Sequence, residues 1–151
     1  MSEAKPRVLV FSTLLPLPVD RGDRNRLFHV LQLLATMADV RLVTVARAWE
    51  PPVLDLSPLG PIEVRTLEVS AREVMAYGAW SALTGRPYLI TRYAMPRVRQ
   101  FVSRQLAEWR PDVFWGFQAP AFPFLDLATG QRRVIDLVDS PSRYASMLRD
   151  S

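Results

Sequence analysis

The chain of 151 residues contains no cysteine, one lysine (Lys5) and one histidine (His29). Without cysteine, disulfide scaffolds and thiolate chemistry are excluded, and a reducing compartment is the natural setting. One histidine and no cysteine cannot build a Cys/His zinc cluster. The lysine follows Ala4, so the Gly-Lys pair of a phosphate-binding P-loop is missing. No two of the six glycines lie two apart, which removes the G-x-G-x-x-G dinucleotide fingerprint. No G-x-S-x-G nucleophile elbow occurs either. No apolar run approaches the ~18 residues of a membrane span. The start, MSEAKPRVLVF, lacks the charged, apolar and small-residue zones of a signal peptide. A cytoplasmic protein is the expectation.

What is present is an ordinary globular composition, 49% hydrophobic and 23% charged. The length suits one domain of roughly 150 residues with a sizeable core. Eighteen arginines bring the net charge to +4. A GC-rich genome accounts for such an arginine bias, and the charge also favours anionic partners without choosing among them. Nucleic acid is disfavoured as a partner: the arginines are spread along the chain and no nucleic-acid motif accompanies them.

Five strand patterns alternate with helical ones. Arg7–Ser12 is a short apolar run suited to a central parallel strand. Val40–Ala46, Ile62–Val69, Asp112–Gly116 and Arg133–Val138 follow as strands, with Ile62–Val69 nearer an edge. Helices are expected over Asp23–Ala38, from Ser70 to about Leu83, over Pro96–Trp109 and, briefly, over Phe122–Ala128. Leu27, Val30, Leu31 and Leu34 mark the apolar face of the first, widened by Leu33 and Met37, with Asp20 or Asp23 as its cap. Ser70-x-x-Glu73 is a capping box. Thr13–Gly22 and the four-proline stretch Arg47–Pro61 read as loops. A last helix starting at Pro141 has no closing strand, so residues 1–151 read as a domain incomplete at its C-terminus. The fold class is α/β: a Rossmann-like, three-layer parallel sheet with helices on both faces.

Ligands of such sheets sit at the carboxyl ends of the strands. Here those ends are Ser12–Thr13, Ala46–Arg47, Val69–Ser70, Gly116–Gln118 and Asp139–Ser140. The most informative segment is Pro16–His29, PLPVDRGDRNRLFH. A glycine between strand and helix lets backbone amides approach an anion at the helix start. Arg24 and Arg26 add donors of fork geometry for phosphate or sugar hydroxyls. The same residues also fit a proline-stiffened loop with a solvated helix start. In that reading Asp20 is only a cap and Arg26 only an ion-pair partner of Asp23.

Pro16-x-Pro18-x-Asp20-x-Gly22-x-x-x-Arg26, after a Val-rich strand and before a Leu-rich helix, resembles the amino-terminal half of family-4 glycosyltransferases of the GT-B fold. Within that family the chain more closely resembles bacterial members from exopolysaccharide-type clusters, including those linked to the exosortase protein-sorting system. Leu83-Thr84-Gly85-Arg86-Pro87, Arg110-Pro111-Asp112-Val113 and Val134–Ser140 resemble further segments of that family in order and spacing. The resemblance covers about residues 6–150.

The resemblance implies transfer of a sugar from a nucleotide-sugar to a glycan or lipid-linked acceptor in polysaccharide biosynthesis, without a cofactor or metal ion. It implies that this chain is the acceptor-side domain. The donor-binding half, fused or separate, would be required for catalysis, because half of the stabilisation of the leaving phosphate would otherwise be absent. A non-catalytic binding module descended from such an enzyme is the alternative. Asp20, Gly22, Arg24, Arg26, Gln118, Asp139 and Ser140 are the candidate substrate and donor-phosphate residues, and no catalytic residue is assigned. Asp139-Ser140 stands where many relatives carry a histidine. His29 and Asp136 are expected to be structural, Asp136 with a buried partner. Aromatic residues and arginines between Met75 and Arg110, among them Tyr77, Trp80, Tyr93 and Arg86, suit either an anionic bilayer surface or a helix pair with a solvated basic face.

Overall fold

A computed structural model describes residues 4–137 of the chain. Five parallel strands form one sheet in the order β3-β2-β1-β4-β5. They are β1 (Arg7–Ser12), β2 (Asp39–Arg47), β3 (Glu63–Val69), β4 (Val113–Phe117) and β5 (Arg132–Asp136). The helices are α1 (Gly22–Met37), α2 (Ala71–Leu83), the single turn α3 (Tyr88–Thr91) and α4 (Pro96–Trp109). β1 is central, with Val10 opposite Leu42 of β2 on one side and Trp115 of β4 on the other. Leu9, Val10 and Phe11 are all fully buried. Side chains alternate across a strand, so a strand covered on both faces reads as an unbroken apolar run.

The alternation divides the core in two. Val8 and Val10 face α1 and pack with Leu27, Leu31, Leu34 and Phe117. Leu9 and Phe11 face the other layer, with Val74 of α2, Val98 and Val102 of α4, and Phe124. The molecule is therefore a Rossmann-like α/β fold with helices on both faces of an all-parallel sheet, as expected. β3 lies at an edge, also as expected. Among the described residues no helix is long and apolar enough to cross a membrane.

Several local expectations are corrected. The turn after β4 is not an α-helix over Phe122–Ala128 but a 3₁₀ segment, Ala119–Leu127. Pro120 and Pro123 have no N–H to donate to an α-helical ladder, and the tighter coil tolerates that loss. Neither Asp20 nor Asp23 caps α1; its N-cap is Arg21, with no side-chain cap bond. Leu33 and Met37 are exposed. They fall outside the buried stripe 24-27-31-34, because Leu33 is about 200° around the helix from Leu31. α3 is too short to leave a periodic signal. The last strand ends at Asp136, and the helix expected from Pro141 lies outside the described residues.

Candidate functional site

β1 connects to β2 on one side of itself, whereas β4 pairs with it on the other. The chain thus changes direction between β1 and β4, and a ligand crevice is expected at their carboxyl ends. Ser12 and Thr13, at the end of β1, are buried, and Ser12 Oγ accepts from the N–H of Leu14 at 3.2 Å. The Thr44 hydroxyl donates to the Leu14 carbonyl at 3.1 Å, fixing the start of the loop. That loop delivers the amino end of α1. The first N–H groups of a helix lack intrahelical acceptors and carry its positive end. Arg24 N–H donates to the Asp23 carboxylate at 2.8 Å. An added Cβ at Gly22 would meet no atom within 4 Å, so the space over this residue is open.

Arg24 and Arg26 leave the first turn of α1 in opposite directions, about 200° apart. Arg24 is buried, and its terminal nitrogens donate to Asp20 at 3.2 Å and to Glu50 at 2.6 Å. Glu50 also accepts from Arg47 at 3.0 Å, and Arg47 Nε donates to the Thr13 carbonyl at 3.2 Å. Two acids and two bases form a chain from the α1 loop to the end of β2. Arg24 Nε is buried with no hydrogen-bond partner among the described residues. Arg26 reaches Asp136 at the end of β5, at 2.9 and 3.1 Å. The partner of Asp136 is thus the half-exposed Arg26 and not the buried group expected. This bond replaces the Arg26–Asp23 pair, because Asp23 is held by Arg21 at 2.7 Å. Burial pushes the Asp23 carboxyl up, but hydrogen bonds from Arg21 and the Arg24 N–H outweigh it and leave it below its ordinary value.

Gln118 follows β4 with φ 66° and ψ 170°, a backbone region used almost only by glycine. Its N–H donates to the Asp136 carbonyl at 2.9 Å, which ties it to the Arg26 end of the site. The structure therefore gathers Asp20, Gly22, Arg24, Arg26 and Gln118 at the carboxyl ends of the strands, Arg24 with Asp20 on one side of the α1 start and Arg26 with the Gln118 end on the other. Asp139 and Ser140 lie outside the described residues. His29 is exposed on α1, edge-on to Phe28. Among the described residues no cluster of His, Cys, Asp or Glu could hold a metal ion.

Sequence reasoning missed Glu50 and the surroundings of Tyr93. The guanidinium groups of Arg47 and Arg92 lie 5.4 and 5.2 Å from the buried Tyr93 ring. Burial pushes the Tyr93 phenol above its ordinary value, against the lowering influence of both arginines. No signal near Glu50 sets it apart from other loop acids. The burial of Arg24 corrects its expected place as a ligand donor: residues 24, 27, 31 and 34 share one helical stripe, which turns Arg24 inward to Asp20 and Glu50. No protein-family model matches the chain, and no curated protein matches its sequence.

Proposed function

We propose that this chain is the acceptor-side, amino-terminal domain of a GT-B glycosyltransferase. It would transfer a sugar from a nucleotide-sugar to a glycan or lipid-linked acceptor in cytoplasmic polysaccharide biosynthesis. The donor-binding half, fused or separate, completes the site. The observation that carries the reading is the open amino end of α1 at Gly22, placed over the point where the strand order changes direction. Backbone N–H groups there suit the oxygens of a phosphate. Asp20 and Gln118 stand on either side to meet sugar hydroxyls. Arg24 is committed to Asp20 and Glu50, so its role in this reading is to hold the loop in shape. Arg26 can meet an anion by exchanging its exposed pair with Asp136. The motif order around Pro16–Arg26, Leu83–Pro87 and Arg110–Val113 adds the sugar-transferase assignment.

The test pairs the chain with a donor-binding half encoded in continuation of, or beside, its reading frame. Nucleotide release is followed over a panel of nucleotide-sugars and glycan acceptors. Turnover should require both halves. Gly22→Val should lower it about a hundredfold, the scale of losing one preorganised donor to an anion. The circular dichroism should not change, because the new side chain enters open space. Undiminished turnover in Gly22→Val removes the site from the mechanism. Absence of turnover with every donor removes the enzyme reading and leaves the non-catalytic binding module.

A further inference from the structure

A groove that shares no residue with the strand-end site carries a different chemistry. It runs between α3 and the 3₁₀ segment Ala119–Leu127, with a volume of about 580 Å³, within the range of small-molecule sites. α3 forms one wall because its Tyr88 ring lies on Gly78 of α2, where a Cβ would have no room, and because the Thr91 hydroxyl bonds to Ser81 at 2.6 Å. Ile90, Ala94, Phe122 and Pro123 line the middle. Phe122 is 57% exposed beside the groove, although the buried Phe124 anchors the same segment. The polar side chains of the lining fall into two groups. Thr91 is held by Ser81 and by the Pro87 carbonyl at 3.0 Å. Asp126 accepts from Arg99 at 2.7 Å, and Arg99 also donates to the Pro123 carbonyl. These three are committed. Tyr77 and Arg86 are not: neither side chain has a hydrogen bond or an ion pair among the described residues. Arg86 lies 5.5 Å over the Trp80 ring, which positions its charge without neutralising it.

We propose that this groove binds a small aromatic carboxylate. The walls select that chemistry. The one cation without an acid beside it is Arg86, and a planar carboxylate meets its fork with two parallel hydrogen bonds. The rings of Tyr77 and Phe122 favour a flat apolar body against them. A sugar or a nucleotide would bring many hydroxyls, and only Tyr77 and Arg86 are free to satisfy them. An extended peptide would bring backbone N–H and C=O groups with the same deficit. A hard cation needs several oxygens, whereas Asp126 is the only carboxylate of the lining and belongs to Arg99. A ligand with one anionic end and an apolar remainder uses what the groove offers and leaves no polar group unpaired. The proposal does not rest on sugar transfer and can fail without touching it.

Titration of the isotope-labelled 151-residue chain with naphthoate, followed by amide NMR, tests it. Shifts should gather at Ile90, Thr91, Ala94 and Phe122 and leave Gly22 and Arg26 unmoved. Arg86→Gln should weaken binding about tenfold, the scale of one charge-assisted hydrogen bond. Naphthalenemethanol, with the same rings and no charge, should bind about tenfold more weakly than naphthoate for the same reason. Phe122→Ser should weaken binding about fivefold through lost apolar contact. Both replaced side chains stand at the surface, so the spectrum of each variant should otherwise match that of the parent. Octanoate, an aliphatic acid with the same head, should bind more weakly than naphthoate. Four results overturn the proposal. The first is no shift at millimolar naphthoate. The second is a set of shifts gathered at the strand ends instead of the groove. The third is binding that Arg86→Gln leaves intact, which reduces the contact to apolar adhesion. The fourth is octanoate binding as tightly as naphthoate, which removes the aromatic selection.

Discussion

Arg24 stands where a leucine would complete the buried stripe of α1, and a charge in that position must be paired. Asp20 and Glu50 pair it, and Arg47 holds Glu50 from the other side. Removing one member of a buried pair leaves its partner uncompensated, which costs more than the pair is worth against an apolar replacement. Glu50 is a quarter exposed and keeps Arg47, so the cost falls at the low end of that range. Arg24→Met should lose about 3 kcal/mol in urea unfolding. A double-mutant cycle with Glu50→Gln should give a coupling of about 1–2 kcal/mol. Tyr93 makes a second residue-level prediction, in alkali. Its phenol is held above the ordinary value of 10.0, chiefly by burial. The folded state therefore keeps the proton after the unfolded state has released it. Its contribution to stability is complete below pH 10 and is lost as pH rises through the folded value. Tyr93→Phe keeps the ring under Arg47 and Arg92, so the unfolding free energy should fall less steeply above pH 10 than in the parent chain.

Elements with strong local signals were legible in advance. The capping box over Ser70–Glu73 is present with both reciprocal bonds, and α4 spans Pro96–Trp109 as its periodicity predicts. It stops where Arg110 turns left-handed at φ 51° ahead of Pro111. Ser70→Ala removes the acceptor for the Glu73 N–H and should cost about 1 kcal/mol, read from the urea midpoint. Elements governed by contacts distant in sequence were not legible. α3 is held against α2 by the Tyr88 ring on Gly78 and by the Ser81–Thr91 bond, and no single turn announces those pairings. The start of α1 shows the same limit: Asp20 and Asp23 both look like caps, yet distant Glu50 draws Arg24 inward and Arg24 takes Asp20 with it. The positions of Gly22, Arg26 and Gln118 at the strand ends followed from the βαβ pattern alone. The bond from Arg26 to Asp136 did not, because 110 residues separate them.

At the scale of the whole molecule, the sheet separates two cores that share no side chain. The layer formed by α1 rests on Leu27, Leu31 and Phe117; the opposite layer converges on Phe11, which meets Phe124 at 4.3 Å and Phe114 at 6.4 Å between centroids. Phe124 belongs to the 3₁₀ segment that joins β4 to β5, and it anchors that segment to the centre of the sheet. β5 itself is weakly covered, with Arg132, Arg133 and Val134 all exposed. Its attachment depends on pairing with β4, on the Arg26–Asp136 bridge and on the anchored connection before it. Phe124→Ala should therefore do more than cost the about 3–5 kcal/mol of an emptied aromatic site. It should loosen the β4–β5 half before the rest, since stability is distributed in local units. Native-state amide exchange measures this directly. In Phe124→Ala, protection should fall furthest at β5 and Gln118, while β1 and β2 exchange only through global unfolding. Equal loss at every strand would mean that the two cores open as one unit. The α1 end of the site and its Gln118 end would then be rigidly coupled, and a ligand gripping one would feel every change at the other.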